Sequence, residues 1–72
     1  MKNNRFREAR EERNLTQEYV ANQLSVTRQA YGRYESGERE CSFDNLRKLS
    51  RLFDTTIDYL LCNEFPQQAH SF

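Results

Sequence analysis

QEYVANQLSVTRQAYGRYES, residues 17–36, reads as two short helices joined by a tight turn. In the first, Val20, Ala21 and Leu24 share one face; in the second, Ala30, Tyr31 and Tyr34 turn inward and leave Arg28, Gln29, Gly32 and Arg33 outside. Ala21 is small enough to let two helices cross steeply through a turn made by Ser25 and Val26, where a larger side chain would hold them apart. Thr16 and Thr27 each precede a helix and can accept from its free backbone N–H groups. An apolar seam locking two helices, with long hydrogen-bonding side chains on the outer row of the second, is the geometry with which a helix-turn-helix enters the major groove.

Working outward, a preceding helix is expected over about Asn4–Arg13, with Phe6 and Ala9 on its buried side and Asn14 as its stop, since asparagine tolerates the left-handed conformation that closes many helices. Gly37 ends the Arg28–Glu35 helix. Glu38–Cys41 reads as a polar linker, after which Ser42 caps a helix whose Phe43, Leu46, Leu49, Leu52 and Phe53 keep helical spacing, and Phe43 is expected in the core. Thr56 opens a last helix with Ile57, Leu60 and Leu61 apolar, and Pro66 marks where helix should have ended. Tyr19 sits beside the apolar stripe of its helix, and Gly32 either permits a close backbone approach or is simply tolerated at about 1 kcal/mol relative to alanine. With no strand-like alternation and no repeat, five short helices is the economical architecture. Residues 1–62 form the expected domain, and 63–72 a tail that is loose or contributes to a dimer contact through Phe65 and Phe72, alongside Tyr59 and Leu60.

Seventy-two residues with no net charge bound the rest. A chain this short buries about 60% of its unfolded surface and has a thin core. The charge is unevenly spread: Met1 to Arg39 holds a surplus of two cations and the remainder a matching surplus of two anions. This suits a small positive face with weak, salt-sensitive non-specific affinity. Cys41 and Cys62 are far apart and unaccompanied by a Cys-x-x-Cys pair or a secretory leader, so reduced thiols and a cytoplasmic location are expected. With His70 they lack a fourth ligand and zinc-like spacing, so no metal is expected. No apolar run approaches membrane-spanning length. No carboxylate pair, glycine-rich phosphate loop or His-centred constellation supports an enzyme or a cofactor.

On the segments REERNLTQEYVANQLSVTRQAYGRYESGE and SFDNLRKLSRLFDTTIDYLL, the chain from about Phe6 to Leu61 resembles the lambda repressor-like (Cro/repressor, XRE) helix-turn-helix family. The resemblance implies an all-α, five-helix DNA-binding domain whose helix-turn-helix is formed by helices 2 and 3. It implies that Thr27, Arg28, Gln29 and Arg33 face the bases and that Gln17 holds a phosphate at a helix N-terminus. Ser42, Phe43 and Asp44 would offer backbone N–H groups to phosphates, and Arg10 and Glu35 would pair across helices. The chain departs from the family pattern at Ser25, where glycine is usual, at the acidic Glu38 and Glu40, and at Cys41, which replaces a frequent proline.

Arginine suits guanine and glutamine suits adenine, because each can make two parallel hydrogen bonds to one base edge, worth about 1–3 kcal/mol of discrimination. Tyr31 and Tyr34 could stack on bases, but their spacing places them in the core. The leading expectation is a sequence-specific, double-stranded DNA-binding regulator, most simply a repressor, binding a near-palindromic operator as a homodimer. The alternative is an antitoxin-like or adaptor subunit that acts mainly through a protein partner or antagonist.

Overall fold

A computed structural model describes residues 3–63 of the chain. Five helices follow one another, α1 Phe6–Glu12, α2 Gln17–Leu24, α3 Arg28–Ser36, α4 Phe43–Leu52 and α5 Ile57–Leu60, with no strand among the described residues. Phe65, Pro66, His70 and Phe72, and with them the expectations for the tail, lie outside the described residues.

Four of these helices start on a hydroxyl. Thr16, Thr27, Ser42 and Thr56 stand in extended backbone and accept from the N–H groups of Tyr19, Ala30, Asn45 and Tyr59 respectively. Each cap satisfies one of the donors a helix start leaves free, worth about 1 kcal/mol. The first helix begins later than its pattern suggests. Asn4 stays outside it, its Oδ1 accepting from the Phe6 N–H at 3.1 Å while its Nδ2 donates to the Tyr34 carbonyl at 3.1 Å. That side chain anchors the chain's start to α3 instead of extending α1.

Helix ends are closed by left-handed residues: Asn14 (φ 57°), Ser25 (φ 59°), Asp54 (φ 54°), Cys62 (φ 58°) and Gly37 (φ 84°). At Ser25 this conformation lets the Val26 N–H reach back to the Ala21 carbonyl at 3.0 Å and turns the chain from α2 into α3. Asparagine and aspartate visit this region readily, but serine pays for its Cβ there.

The core lies where the apolar faces of all five helices meet, with Phe6, Val20, Tyr31, Leu49 and Leu60 fully enclosed. Ala21 is buried at the α2–α3 crossing, and Ala30, on the expected inward side, is half-buried. The expectation for Phe43 is corrected: its ring is 65% exposed, whereas Leu46, Leu49 and Phe53 are buried. At about 100° per residue these three centre the buried stripe of α4, and Phe43 sits roughly 90° from that centre on the helix's first residue. Leu52, at the opposite margin, is half-buried.

No helix among the described residues is long and apolar enough to cross a membrane.

Candidate nucleic-acid interface

α3 packs on α2 and α1 and buries Tyr31 and Tyr34, which meet edge-to-face with ring centroids 6.3 Å apart. With that side held, the opposite side of α3 carries Arg28, Gln29 and Arg33, all exposed, with Gly32 between them. Residues one turn apart stand side by side on a helix, so Gln29 and Arg33 form one outer row and Arg28 and Gly32 the row beside it, together making one exposed face. Tyr31 and Tyr34 are unavailable for base stacking because the core already holds them.

Below this face lies a connected set of polar groups. Arg10 Nε donates to Glu35 Oε2 at 2.6 Å and Arg10 Nη2 to Glu35 Oε1 at 3.4 Å, while Arg10 Nη1 donates to the Leu15 carbonyl at 2.9 Å. Both side chains are nearly closed off from solvent, 12% and 7% exposed. The hydrogen bond to Glu35 outweighs burial and moves the Arg10 pKa above its usual value, so the guanidinium is held charged. Tyr31 places its enclosed hydroxyl beside this pair without reaching hydrogen-bonding geometry, and burial first, then Glu35, drives its pKa well above the usual tyrosine range.

Glu35 also serves α2. Gln17 Nε2 donates to Glu35 Oε1 at 3.0 Å, and Gln17 Oε1 accepts from Arg28 Nη1 at 3.4 Å. An ionised carboxylate only accepts, so the Gln17 amide must turn its NH2 group inward and its oxygen toward Arg28. Gln17 is thus at the start of α2, half-buried, and in contact with the first residue of α3.

The remaining candidates divide by place. Thr27 Oγ1 is occupied as the α3 cap and Ser42 Oγ as the α4 cap. Phe43 and Asp44 form the first turn of α4, where backbone N–H groups lack intrahelical partners, and both side chains are exposed. Glu38 approaches the outer face of α3, with its Oε1 4.0 Å from Arg33 Nε and both side chains largely in solvent. Cys41 is buried and Cys62 exposed. Burial pushes the Cys41 thiol up to about 11.

Three tertiary contacts that support this face escaped the sequence reading. Arg13 Nε donates to the Phe53 carbonyl at 2.9 Å, tying the end of α1 to the end of α4. Arg5 Nη1 donates to the Tyr59 carbonyl at 2.8 Å and its guanidinium lies 4.5 Å from the centre of the Tyr59 ring. The Asn4 bond to Tyr34 is the third. Each joins residues at least thirty positions apart, and a surface-type arginine or asparagine gives no periodic signal of such a partner.

A helix-turn-helix family profile matches residues 6–60, which spans every helix described above. The chain belongs to the lambda repressor-like, XRE-type helix-turn-helix family. Within it, the chain is 38% identical over 64 residues to the HTH-type transcriptional regulator YqaE and 40% identical over 65 residues to the HTH-type transcriptional regulator AnsR, both of Bacillus subtilis. Those matches cover 89% and 90% of this chain but 55% and 56% of the relatives. It is also 40% identical over 62 residues to the transcriptional activator BcrR of Enterococcus faecalis, covering 86% of this chain and 30% of that protein. The chain therefore spans about half the length of the first two relatives. Its kinship is with HTH-type transcriptional regulators.

Proposed function

We propose that this helix-turn-helix protein reads a specific duplex sequence through the outer face of α3 and regulates transcription as a homodimer on a near-palindromic operator. The observation that carries the reading is the exposure of Arg28, Gln29 and Arg33 on a helix whose other side is fixed by Tyr31 and Tyr34. Arg28 and Arg33 offer two-pronged donation to guanine, and Gln29 can both donate to and accept from adenine. Gln17 and the first-turn backbone at Ser42, Phe43 and Asp44 flank the face and supply phosphate contacts that fix register. Thr27, already a cap, keeps its hydroxyl hydrogen for a base or phosphate.

One recognition helix reads only a few base pairs. Two copies a helical turn apart, about 34 Å, multiply the discrimination, which favours a symmetric dimer. Such a dimer represses by occupying promoter DNA. The activator among the relatives matches over less than a third of its own length, so its sign of action is not carried over.

Selection of bound duplexes from a random pool tests this reading. Inverted repeats with half-sites about one turn apart are expected. Within them, Gln29→Ala should relax preference at one base pair per half-site, and Gln17→Ala should weaken all sequences. A pool that enriches no sequence, together with binding insensitive to salt, overturns it in favour of a subunit that acts through a protein partner.

A further inference from the structure

On the flank between α2 and α4, two adjoining hollows of about 510 and 410 Å³ share Leu52 as a common wall. The first is bounded by Leu15 and Tyr19 and the second by Gln23, Lys48 and Arg51, so together they form one furrow along both helices. Three apolar side chains meet along it: Leu15 and Leu52 are half-buried, and Tyr19 beside them is 45% exposed. Its walls carry three cations, Arg13, Lys48 and Arg51. Arg13, which lines the first hollow, pairs with Asp54 at 3.3 Å; Lys48 and Arg51, which line the second, are exposed and, like Arg28, Arg39 and Arg47, have no carboxylate within 4.0 Å among the described residues. Glu12, at the α1 end of the furrow, is its one acidic wall.

None of these residues belongs to the candidate DNA-reading set. Lys48 and Leu52 lie six and ten residues beyond Ser42, or roughly 9 and 15 Å along the axis of α4 from its N-terminus. The furrow can therefore be filled while the outer face of α3 is engaged elsewhere.

From this combination we propose that the α2–α4 furrow docks an acidic segment of a partner protein, whose carboxylates meet Lys48 and Arg51 and whose one large apolar side chain enters between Tyr19 and Leu52. Unpaired cations rimming Leu15, Tyr19 and Leu52 favour this occupant over a second copy, because two copies would bring the same cationic rims toward each other. These three side chains supply the area that the anchor covers, and the rim supplies orientation. This assignment does not depend on the DNA reading.

The test is a display selection of random twelve-residue peptides on the full chain, followed by titration of the enriched peptides under NMR observation. Enriched peptides should carry several Asp or Glu residues around one aromatic or leucine side chain and should shift the resonances of Tyr19, Gln23 and Leu52. The double variant Lys48→Glu/Arg51→Glu, folded by its thermal midpoint, should bind them at least tenfold more weakly. Tyr19→Ser should weaken them several-fold while leaving their acidic preference intact. Peptides with no acidic bias, or binding unaffected by the double charge reversal, overturn the proposal. It is equally overturned if the furrow resonances shift with protein concentration alone, since the occupant is then a second copy, or if short duplex DNA shifts them in the wild type and not in the double variant.

Discussion

Arg10 and Glu35 stand 25 positions apart in the chain and 2.6 Å apart in space, joining α1 to the last turn of α3 in a setting nearly closed to water. Exposed ion pairs contribute about 0–1 kcal/mol, but removing one partner of a buried pair strands the other charge without its solvation. Arg10→Met should therefore destabilise the fold by about 2–4 kcal/mol, read as a lowered urea midpoint. Adding Glu35→Leu to it should restore part of that loss. Equal midpoints for wild type and Arg10→Met would mean that the pair has no structural role.

Tyr31→Phe should be neutral or stabilising by up to about 1 kcal/mol, because it removes an enclosed hydroxyl that lacks a partner and preserves the ring. Thermal unfolding of the two proteins measures it. A clear loss of stability would mean that the hydroxyl is satisfied, for instance by an ordered water.

Gly32 meets only Gln17 Nε2, at 4.0 Å, where a Cβ would lie. That is ordinary contact, so Gly32→Ala should stabilise the fold by about 0.5–1 kcal/mol through helix propensity. Because the added methyl sits on the face with Arg28, Gln29 and Arg33, duplex affinity is the informative second readout. Raised stability with lowered affinity would assign Gly32 to close backbone approach, and raised stability with unchanged affinity to mere tolerance.

The Cys41 thiol, displaced by burial from 9.0 to about 11, makes stability depend on alkaline pH. A group whose folded pKa exceeds its unfolded one has its full contribution below the unfolded value and loses it as pH rises toward the folded value. Stability should hold to about pH 9 and fall between pH 9 and 11, by on the order of 2–3 kcal/mol from Cys41. Tyr31, raised from 10.0, steepens the fall above pH 10. Urea midpoints across this range should fall less steeply in Cys41→Ala. In the native protein at pH 8, alkylation should reach the exposed Cys62 well before Cys41.

Ser25→Gly should gain about 0.5–1 kcal/mol by relieving a Cβ at φ 59°. A loss of stability would indicate that the serine hydroxyl holds the turn by a bond stronger than the strain.

The helices and their starts were legible because capping and periodicity are local: Thr16, Thr27, Ser42 and Thr56 announce four helices from a few neighbouring residues each. Gly37 and Asn14 announce two stops in the same way. Phe43 misled because an apolar residue at helical spacing also lies at a stripe's margin, and only the absence of a neighbour across the first turn leaves it uncovered. The outer face of α3 could be listed from the sequence, but not the engagement of Gln17 between Glu35 and Arg28, which depends on where α2 and α3 finally cross. Likewise Lys48 and Arg51 look like ordinary helix charges until α2 is seen beside them.

The hydroxyl caps and the buried seam hold α3 without drawing on Gln29 or burying Arg28 and Arg33. On the proposed reading, a lineage can therefore rewrite its address by exchanging a few surface letters while the scaffold stays intact, so copies arising by duplication can diverge in target long before they diverge in shape.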